Sequence, residues 1–319
     1  MDVAAFRAWL SGVVDLTAEQ RQELDVVLSG RDGEAEVAAI DACVRDDRQC
    51  PHCGTPGAVK RGRANGLRRY RCKACGKSFN ALTGTPLARL RLKERWLEFT
   101  RTLSVGATVR GSAAQCQVAL TTAFRWRHRF LKAVKTTTAP LRGIVEADET
   151  YLLDSRKGDR QLDRPPRNRG GKAAKRGLSR EQVPVLVAAD RTGTTLTAVL
   201  PTVSASAIQA VLEPAVGPDV LLVTDGASCF PPAAAALGIS HEALIQSAGE
   251  RVRGELHIQT VNSRHQQIKG FLRAFRGIAT KYLANYLRWF HLIRLDPHPS
   301  PRSCLHAALG LQSMIAVPG

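Results

Sequence analysis

Two closely spaced pairs of cysteines constrain the fold of this chain more than any other feature. The pairs are Cys50-Pro-His-Cys53 and Cys72-Lys-Ala-Cys75, with eighteen residues between them. Each pair lets one tight turn offer two thiolates to the same ion, and two such turns complete a tetrahedral Zn²⁺ site. Gly54 and Gly76 directly follow the pairs, where the turn requires a residue that adopts positive φ. The pattern therefore predicts a zinc ribbon over 48–82, whose closed four-thiolate site holds a structural ion.

The charge of the chain is distributed unevenly. Residues 1–48 hold eleven acidic and five basic residues, which predicts an acidic helical arm over 1–47. The net charge of the whole chain is +18, and the residues after 48 carry 41 basic against 17 acidic side chains. A body this basic favours a polyanionic partner, of which nucleic acid is the commonest. Within the ribbon, the arginines expected to follow a phosphate backbone are Arg61, Arg63, Arg68, Arg69 and Arg71. The alternative is a solvated basic hairpin.

A predicted helix-turn-helix occupies 86–135. The pattern indicates helices over Leu92–Leu103 and Thr108–Cys116, followed by a basic third helix from Thr121 to Lys132. A short helix, a tight turn and a basic helix form the layout whose last helix enters the major groove of DNA. The apolar residues expected to pack inward are Phe124, Phe130 and Leu131. The residues expected to face outward toward DNA are Arg125, Arg127, His128 and Arg129.

Residues 140–295 are predicted to form an α/β domain of the ribonuclease H-like class. Strands are indicated at Arg142–Leu153, Val183–Ala189, Thr194–Leu200 and Val220–Asp225, and helices at Ala205–Leu212 and Leu256–Phe275. Three consecutive strands, followed by strands that alternate with helices, fit that architecture. An insertion over 155–180 contains ten basic and two acidic residues and is expected to be mobile. Its residues expected to contact DNA are Lys172, Lys175 and Arg176.

Four polar residues of this domain are placed where they can meet. Asp225 follows an apolar strand directly, which puts it at the carboxyl edge of the sheet, where open α/β sheets carry their active sites. Asp148 lies within an earlier strand, and its neighbour Glu149 points to the opposite face. Asn262 and Lys269 are seven residues apart, nearly two helical turns, and therefore project to one side of their helix. Acidic oxygens that converge in this way can hold divalent ions that act on phosphodiesters.

The expected location is the cytoplasm, and no membrane partner is expected. Paired cysteines that bind metal, rather than disulfides, favour a reducing compartment. No apolar run approaches the ~18 residues of a membrane-spanning helix. The first residues, Met-Asp-Val-Ala-Ala-Phe-Arg, lack the basic and apolar regions of a signal peptide. If DNA is the partner, the protein is expected at the nucleoid.

Together these motifs resemble bacterial insertion-sequence transposases of the zinc-ribbon DD(N/E)K type. The resemblance is carried by the ribbon, the helix-turn-helix, the strand Glu-Ala-Asp148-Glu-Thr and the segment Thr-Asp225-Gly. Its most specific part runs from His257-Ile-Gln-Thr-Val-Asn262 through Lys269 to Tyr-Leu-Arg-Trp-Phe290. The resemblance covers about residues 48–295 and leaves the acidic arm and the tail over 296–319 unexplained.

The resemblance implies roles for these residues. Asp148 and Asp225 would bind two Mg²⁺ ions, Asn262 would be the third, neutral oxygen ligand, and Lys269 would hold a phosphate. The implied reaction cuts the ends of a transposon in double-stranded DNA and joins them to target DNA. A homo-oligomeric synaptic complex is implied because two ends must be joined together.

Three alternatives stay open at this point. Glu255 lies seven residues before Asn262 and would be the third ligand, as a carboxylate, if the helix begins early; Glu250 is a weaker candidate. The whole protein would be a non-catalytic DNA-binding regulator if it retained only the binding modules. It would be a ribonuclease H-like nuclease or resolvase if it cut DNA without joining it.

Overall fold

The computed structural model describes residues 2–17, 20, 24, 33–42, 44, 48–133, 140–167, 170–175, 179–245, 249–295 and 301–309. The chain divides into a first unit, residues 1–134 with 299–319, and a second unit, residues 135–298. The helices in chain order are α1 (Val3–Gly12), α2 (33–42), α3 (Trp96–Ser104), α4 (Val109–Gln115), α5 (Leu120–Ala133), α6 (Ala205–Leu212), α7 (Phe230–Leu237), α8 (Gln259–Arg273), α9 (Leu283–Phe290) and α10 (Pro301–Leu309). The strands are β1 (Val59–Ala64), β2 (Leu67–Arg71), β3 (Ser78–Phe79), β4 (Ile144–Leu153), β5 (Gln182–Asp190), β6 (Thr195–Val199), β7 (Leu221–Thr224), β8 (Ser240–Ala243), β9 (Val252–Arg253) and β10 (Leu256–His257).

The cysteine pairs flank a small antiparallel sheet in the first unit. β1 pairs with β2, and β2 pairs with β3. The rings of Tyr70 and Phe79 are cross-strand partners and stack with their centroids 5.4 Å apart. These rings and the buried Cys50 and Cys72 form a core of only a few side chains. A core this small is typical of folds that rely on a metal ion for their stability.

Helices α3, α4 and α5 surround an aromatic core in the first unit. Trp96 packs edge-on against Phe130 at 5.8 Å between centroids, and Phe99 packs similarly against Trp126 at 5.3 Å. Helix α10 packs against α3 and α5 and buries Cys304, Leu305, Ala307, Ala308 and Leu309. The sequence predicts a separate tail over 296–319, but its helix belongs to the core of this unit.

The inward face of α5 differs from the predicted one. Ala123, Trp126 and Phe130 recur every three or four residues and are all buried, which defines the stripe that packs inward. Phe124, predicted to pack inward, lies about 100° off this stripe and is 43% exposed. Arg127, predicted to face outward, lies on the stripe and is 1% exposed.

Helix α2 of the acidic arm contacts both the ribbon and α10. The side chain of Asp41 accepts a hydrogen bond from the backbone amide of Arg68 at 2.7 Å. Glu36 is buried and forms ion pairs with Arg302 and, at 3.2 Å, with His306. The arm and the tail, both unexplained by the resemblance, therefore pack against one another within the first unit.

The second unit is built on a five-stranded mixed sheet of order β6-β5-β4-β7-β8. β4, β5 and β6 are antiparallel neighbours, whereas β4–β7 and β7–β8 are parallel pairs. Alternate residues of β4 face opposite sides of the sheet. Val145 and Ala147 join the apolar core that α6 and α7 cover, whereas α8 packs against β4 and β5 from the Glu146 side. The predicted mixed α/β class is confirmed for this unit.

Several features of the second unit were not predicted. Helix α7 and strand β8 complete the parallel edge of the sheet, and β9 and β10 form a short hairpin before α8. Helix α8 begins at Gln259 instead of Leu256, because β10 occupies the residues before it. The base of the basic insertion is tied down, since Ser155 and Thr280 exchange hydrogen bonds of 2.8 and 2.9 Å.

Candidate functional site

The four cysteines of the ribbon converge on one point. Their Sγ atoms all lie within 4.8 Å of one another. The pairs Cys50–Cys75 and Cys53–Cys72 have Sγ–Sγ distances of 3.7 and 3.5 Å. Each turn closes through a glycine amide: that of Gly54 donates to the Cys50 carbonyl at 2.8 Å, and that of Gly76 to the Cys72 carbonyl at 3.1 Å. Both glycines have positive φ, +74° and +68°, as the turns require.

This cluster has the donor set and the geometry of a structural zinc site. Backbone amides of His52 and Cys75 approach the sulfurs of Cys50 and Cys72 at 3.4 and 3.5 Å, an arrangement that stabilises thiolates. Hydrogen bonding to Thr55 lowers the pKa of Cys53 to about 6. Four thiolates fill a tetrahedral coordination sphere and leave no open position for substrate. The cluster can therefore hold a structural ion.

Asp148, within β4, and Asp225, directly after β7, lie on neighbouring parallel strands. The register pairs Glu146 of β4 with Val223 of β7, so Asp148 and Asp225, two residues further along, reach the same edge of the sheet. Asp225 accepts a hydrogen bond from the backbone amide of Ala227 at 3.0 Å, which fixes its side chain in the turn after β7. The strands thus deliver two carboxylates to one place, although 77 positions separate them in the sequence.

The carboxylates at this edge repel one another. Burial, the nearby carboxylate of Asp225 and that of Glu149 raise the pKa of Asp148 to about 7, against an opposing contribution from Lys269. The pKa of Glu149 is raised by burial and by Asp225 as well. A bound cation would relieve this repulsion. The oxygen donors of Asp148 and Asp225 are those that Mg²⁺ prefers, so the residues fit a magnesium site.

Helix α8 brings His265 and Lys269 toward this edge. Lys269 is half-buried and close enough to influence the charge of Asp148. His265 is buried, and its Nδ1 lies 3.8 Å from Oδ2 of Asp148. Its Nε2 has no hydrogen-bond partner among the described residues. Asn262 is exposed one turn earlier on the helix.

His265 was not predicted as a site residue, although its spacing from Asn262 and Lys269 placed it on their side of the helix. Burial, together with the positive charge of Lys269, lowers the pKa of His265 to about 4. The ring is therefore neutral at physiological pH and offers one lone pair and one N–H group. Helical spacing was the signal that identified this position, but only the fold brings it to Asp148.

Glu255 and Glu250 lie outside helix α8. Because α8 begins at Gln259, Glu255 falls in the turn between β9 and β10, where it is exposed. Its backbone carbonyl accepts a hydrogen bond from Arg191 at 3.0 Å. Glu250 forms an ion pair with Arg253 at 2.6 Å. Glu255 therefore does not share a helical face with Asn262.

A second carboxylate of β4 is deeply buried beside the site. Glu146 is 0% exposed, and its Oε1 pairs with Arg191 at 2.5 Å and lies 3.2 Å from Nδ1 of His257. Its Oε2 accepts a hydrogen bond from the backbone amide of Val261 in α8 at 2.9 Å. Glu146 was not predicted as a site residue, although it shares a face of β4 with Asp148. The alternation of β4 was the signal that could have identified it.

The arginines of the ribbon divide into exposed and half-buried groups. Arg61, Arg63 and Arg71 are exposed, and Arg68 and Arg69 are half-buried. Arg63 forms an ion pair with Asp41 of the acidic arm at 3.2 Å. The exposed side chains form a basic surface that can follow a polyanion.

The basic residues of α5 have different environments. Arg125 is exposed, whereas Arg127 donates to the Ala107 carbonyl at 2.7 Å and to Ser112 at 3.2 Å from within the core. Arg129 donates to the backbone carbonyls of Pro86 and Ala88. His128 is half-buried, and burial followed by the charge of Arg127 lowers its pKa to about 4. The predicted outward orientation of Arg127 is wrong, because the inward stripe of α5 includes it.

In the insertion, Lys172 and Lys175 are exposed. Arg176 lies outside the described residues. Among the helices that the structure describes, none is long and apolar enough to span a membrane.

Comparisons with known proteins identify the family. Residues 140–291 match the model of the ISXO2-like transposase domain. An uncharacterized protein in transposable element ISH50 of Halobacterium salinarum is 31% identical over 255 residues, which cover 78% of this chain and 86% of that protein. Two solved structures are weakly similar, each with 15% identity over 67% of this chain and a TM-score of only 0.21. They are the pre-cleavage Mos1 transpososome, of which 78% of the chain is covered, and the Mos1 strand transfer complex, of which 77% is covered. The assignment rests on the domain match and the relative from ISH50: this chain belongs to the insertion-sequence transposases.

Proposed function

We propose that this chain is a DNA transposase that binds the terminal inverted repeats of its element and catalyses metal-dependent strand cleavage and strand transfer. The convergence of Asp148 and Asp225 at one edge of the sheet, beside Lys269 of α8, carries the proposal. Membership of the transposase family supplies the class of reaction. The strand order β6-β5-β4-β7-β8, with three antiparallel strands followed by two parallel ones, supports the ribonuclease H-like assignment.

The side chains at the edge of the sheet have complementary roles in this proposal. Asp148, Asp225 and the amide oxygen of Asn262 hold two Mg²⁺ ions, although the amide adds no charge. When bound, the ions supply Lewis acidity to phosphoryl transfer at the scissile phosphate. Lys269 orients and neutralises a phosphate of the DNA backbone. His265 remains neutral and holds the Asp148 carboxylate in place by its packing.

The first unit supplies DNA recognition in this proposal. The zinc ribbon presents Arg61, Arg63 and Arg71 to the phosphate backbone, and α5 presents Arg125 to the phosphates that flank the major groove. Lys172 and Lys175 of the insertion add contacts to the DNA near the catalytic edge. Two transposon ends must be held together for joining, so the active form is a homo-oligomer on double-stranded DNA, in the cytoplasm at the nucleoid.

A strand-transfer assay tests the proposal directly. Purified zinc-loaded protein is incubated with labelled double-stranded DNA that ends in the terminal repeat of its own element, a target plasmid and Mg²⁺. Wild-type protein should nick the repeat end and join it to the plasmid, whereas Asp148→Asn and Asp225→Asn should bind the same DNA without cutting it. A charge-matched control, Asp219→Asn, removes an acid on the same unit outside the site and should retain activity.

The outcome also separates this reaction from two others. Specific binding by wild-type protein with no cleavage in Mg²⁺ or Mn²⁺ would identify a non-catalytic regulator. Cleavage without joining would identify a nuclease or resolvase. Either result overturns the proposed strand transfer.

The third ligand has a matched pair of variants. Asn262→Ala is expected to abolish strand transfer, because it removes an oxygen donor from the helix that faces Asp148. Glu255→Ala should leave strand transfer intact, because Glu255 lies in the exposed β9–β10 turn. The reverse pattern would rule out Asn262 as the ligand.

A further inference from the structure

We propose that Glu146 is a positioning residue that sets the distance between Asp148 on β4 and Asn262 on α8. This inference rests on the proposed function, because it concerns the geometry of the same metal site. Glu146 itself is 0% exposed and cannot reach substrate. Its effect on the reaction must therefore act through the residues that it holds.

Glu146 serves as the N-terminal cap of α8 from a distant strand. The N-cap position is occupied by Ile258, which has no side-chain capping hydrogen bond, and the first turn of α8 contains no acidic residue. The first amides of a helix need acceptors, and the N-terminus favours negative charge. Oε2 of Glu146 meets both needs, because it accepts the amide of Val261 at 2.9 Å. The capping acceptor that α8 lacks at its own N-terminus is thus supplied by Glu146, 115 positions before Val261.

The other carboxylate oxygen joins Glu146, through Arg191, to the first turn of α8 and to the β9–β10 hairpin. Arg191 pairs with Oε1 and also donates to Thr260 at 3.3 Å and to the Glu255 carbonyl at 3.0 Å. The ring of His257 lies within hydrogen-bond distance of both Glu146 and Arg191. One guanidinium and one carboxylate therefore fix β4, the β9–β10 hairpin and the first turn of α8 together.

The sequence positions explain why this anchor matters to the metal site. Glu146 precedes Asp148 by two residues on the same face of β4, a distance of about 7 Å along the strand. Its bonding partner Val261 directly precedes Asn262. A shift of α8 at this anchor would therefore move Asn262 relative to Asp148. Lys269, two turns further along the same rigid helix, would move with it.

The test measures metal binding separately from activity. Mn²⁺ is titrated into zinc-loaded full-length protein and the free ion is measured by electron paramagnetic resonance, while cleavage of labelled repeat-end DNA is measured in parallel. Glu146→Ala removes both oxygens, and Glu146→Gln retains an acceptor for the Val261 amide but loses the charge opposite Arg191. Mn²⁺ affinity and cleavage rate should fall about 10- to 100-fold in Glu146→Ala and by less in Glu146→Gln, as expected for a residue that orients metal ligands.

Two further variants distinguish positioning from general stability. Leu212→Ala opens a cavity in the buried core beneath α6 and lowers the melting temperature without touching α8. It should leave Mn²⁺ affinity unchanged. Arg191→Lys keeps the positive charge but cannot make the separate contacts of Nη1 with Glu146 and of Nη2 with the Glu255 carbonyl, and should weaken Mn²⁺ binding even if Glu146→Ala fails to fold.

Failure of the positioning role and failure of the proposed function give different results. If wild-type protein binds no Mn²⁺ at this site and cuts no DNA, the proposed function fails. If wild-type protein binds Mn²⁺ and cuts DNA, but the folded Glu146→Gln and Arg191→Lys variants match it in affinity and rate, only the positioning role is overturned. A melting temperature lowered in these variants with unchanged affinity would overturn the positioning role as well.

Discussion

The cysteine cluster and the acidic cluster at the edge of the sheet are assembled in opposite ways. The four cysteines come from two neighbouring turns, each closed by its own backbone hydrogen bond, so the chain forms each half of the site locally. The acidic site draws on β4, the turn after β7 and α8, and its helix is capped by Glu146 from the sheet. A site built from local turns therefore depends on its ion for stability. A site built from distant elements depends on the surrounding fold for its geometry. The repulsion between its buried carboxylates destabilises that fold.

The largest expected effect is the loss of zinc from the ribbon. Cys72→Ser is expected to unfold residues 48–82, because the core there is small and zinc binding contributes about 10 kcal/mol or more to the folding of comparable zinc modules. Hydrogen–deuterium exchange should show loss of protection in β1, β2 and β3, and elemental analysis should show loss of zinc. The strands of the second unit should keep their protection.

Cys229→Ser is the matched control for this change, since it removes a thiol from outside the cluster. It should retain one zinc per chain and normal exchange in the ribbon. Full protection of the β2 amides in zinc-free Cys72→Ser would contradict the idea that the ion holds this module together.

Removal of the Asp148 carboxylate should have the opposite effect: it should stabilise the fold instead of destabilising it. Asp148 has a folded-state pKa of about 7, against an ordinary value of 3.8, so ionising it in the folded protein is unfavourable. In the absence of divalent metal at pH 8, Asp148→Asn should therefore increase the free energy of unfolding, by up to about 4 kcal/mol. Chemical denaturation with EDTA-treated buffers (zinc retained in the ribbon) measures this change.

The same variant should be inactive in the cleavage assay. A stability gain with loss of activity is the expected sign of a site whose charges are kept for function. A loss of stability in Asp148→Asn at pH 8 would show that the carboxylate is favourably accommodated without metal, and would remove the contrast with the ribbon.

The contrast also explains what the sequence could predict. The ribbon was readable because ligands, turns and glycines are neighbours. Strand β7 and the position of Asp225 could be predicted because an apolar run there ends in an acidic residue. The start of α8 was misjudged because its cap, Glu146, is far away in the sequence. The inward face of α5 was predicted wrongly for Phe124 and Arg127, because Trp126 shifts the apolar stripe toward Arg127 and because α10, from the far end of the chain, covers that helix. Contacts between distant segments leave no local pattern.

Arg127 and Arg125 test the same distinction within one helix. Arg127 is buried and donates to the Ala107 carbonyl and to Ser112, whereas Arg125 is exposed. Arg127→Ala should lower the free energy of unfolding of the first unit by about 2–3 kcal/mol, because buried acceptors lose a charged donor. Arg125→Ala should change it by no more than about 0.5 kcal/mol.

Binding to repeat-end DNA should reverse this order. Arg125→Ala should weaken binding and reduce the slope of log K against log salt by about one, as expected for one lost phosphate contact. Arg127→Ala, where folded, should bind with the wild-type salt slope. Equal salt slopes for both variants and wild-type protein would exclude Arg125 from the DNA interface.

The smallest expected effect concerns how the stability of the second unit depends on pH, because its titrating groups act in opposite directions. Burial lowers the pKa values of His265 and His291 to about 4 each, so the folded protein resists two protons that the unfolded chain accepts below about 6.5, and stability falls as the pH falls through that window. Asp148 acts in the opposite direction, because its raised pKa makes the folded protein gain a proton, and stability, as the pH falls from about 7 to about 4. The raised pKa of Glu149 acts in the same direction as that of Asp148. The two carboxylates should therefore offset much of the stability that the histidines lose.

The first unit has the His128 contribution without the opposing carboxylate. Burial lowers the pKa of His128 to about 4, so protonation should destabilise this unit between pH 6.5 and 4. Hydrogen exchange of the strands in metal-free protein reports the stability of the second unit during denaturation. This stability should vary little between pH 6.5 and 5, while the stability of the first unit falls. Asp148→Asn should make the stability of the second unit fall more steeply as the pH falls, because less carboxylate protonation then opposes His265 and His291. His291→Gln should make it fall less steeply. A second unit whose stability has the same pH slope in wild-type protein and in both variants would refute this offset, and with it the claim that the acidic site stores unfavourable charge until a cation neutralises it.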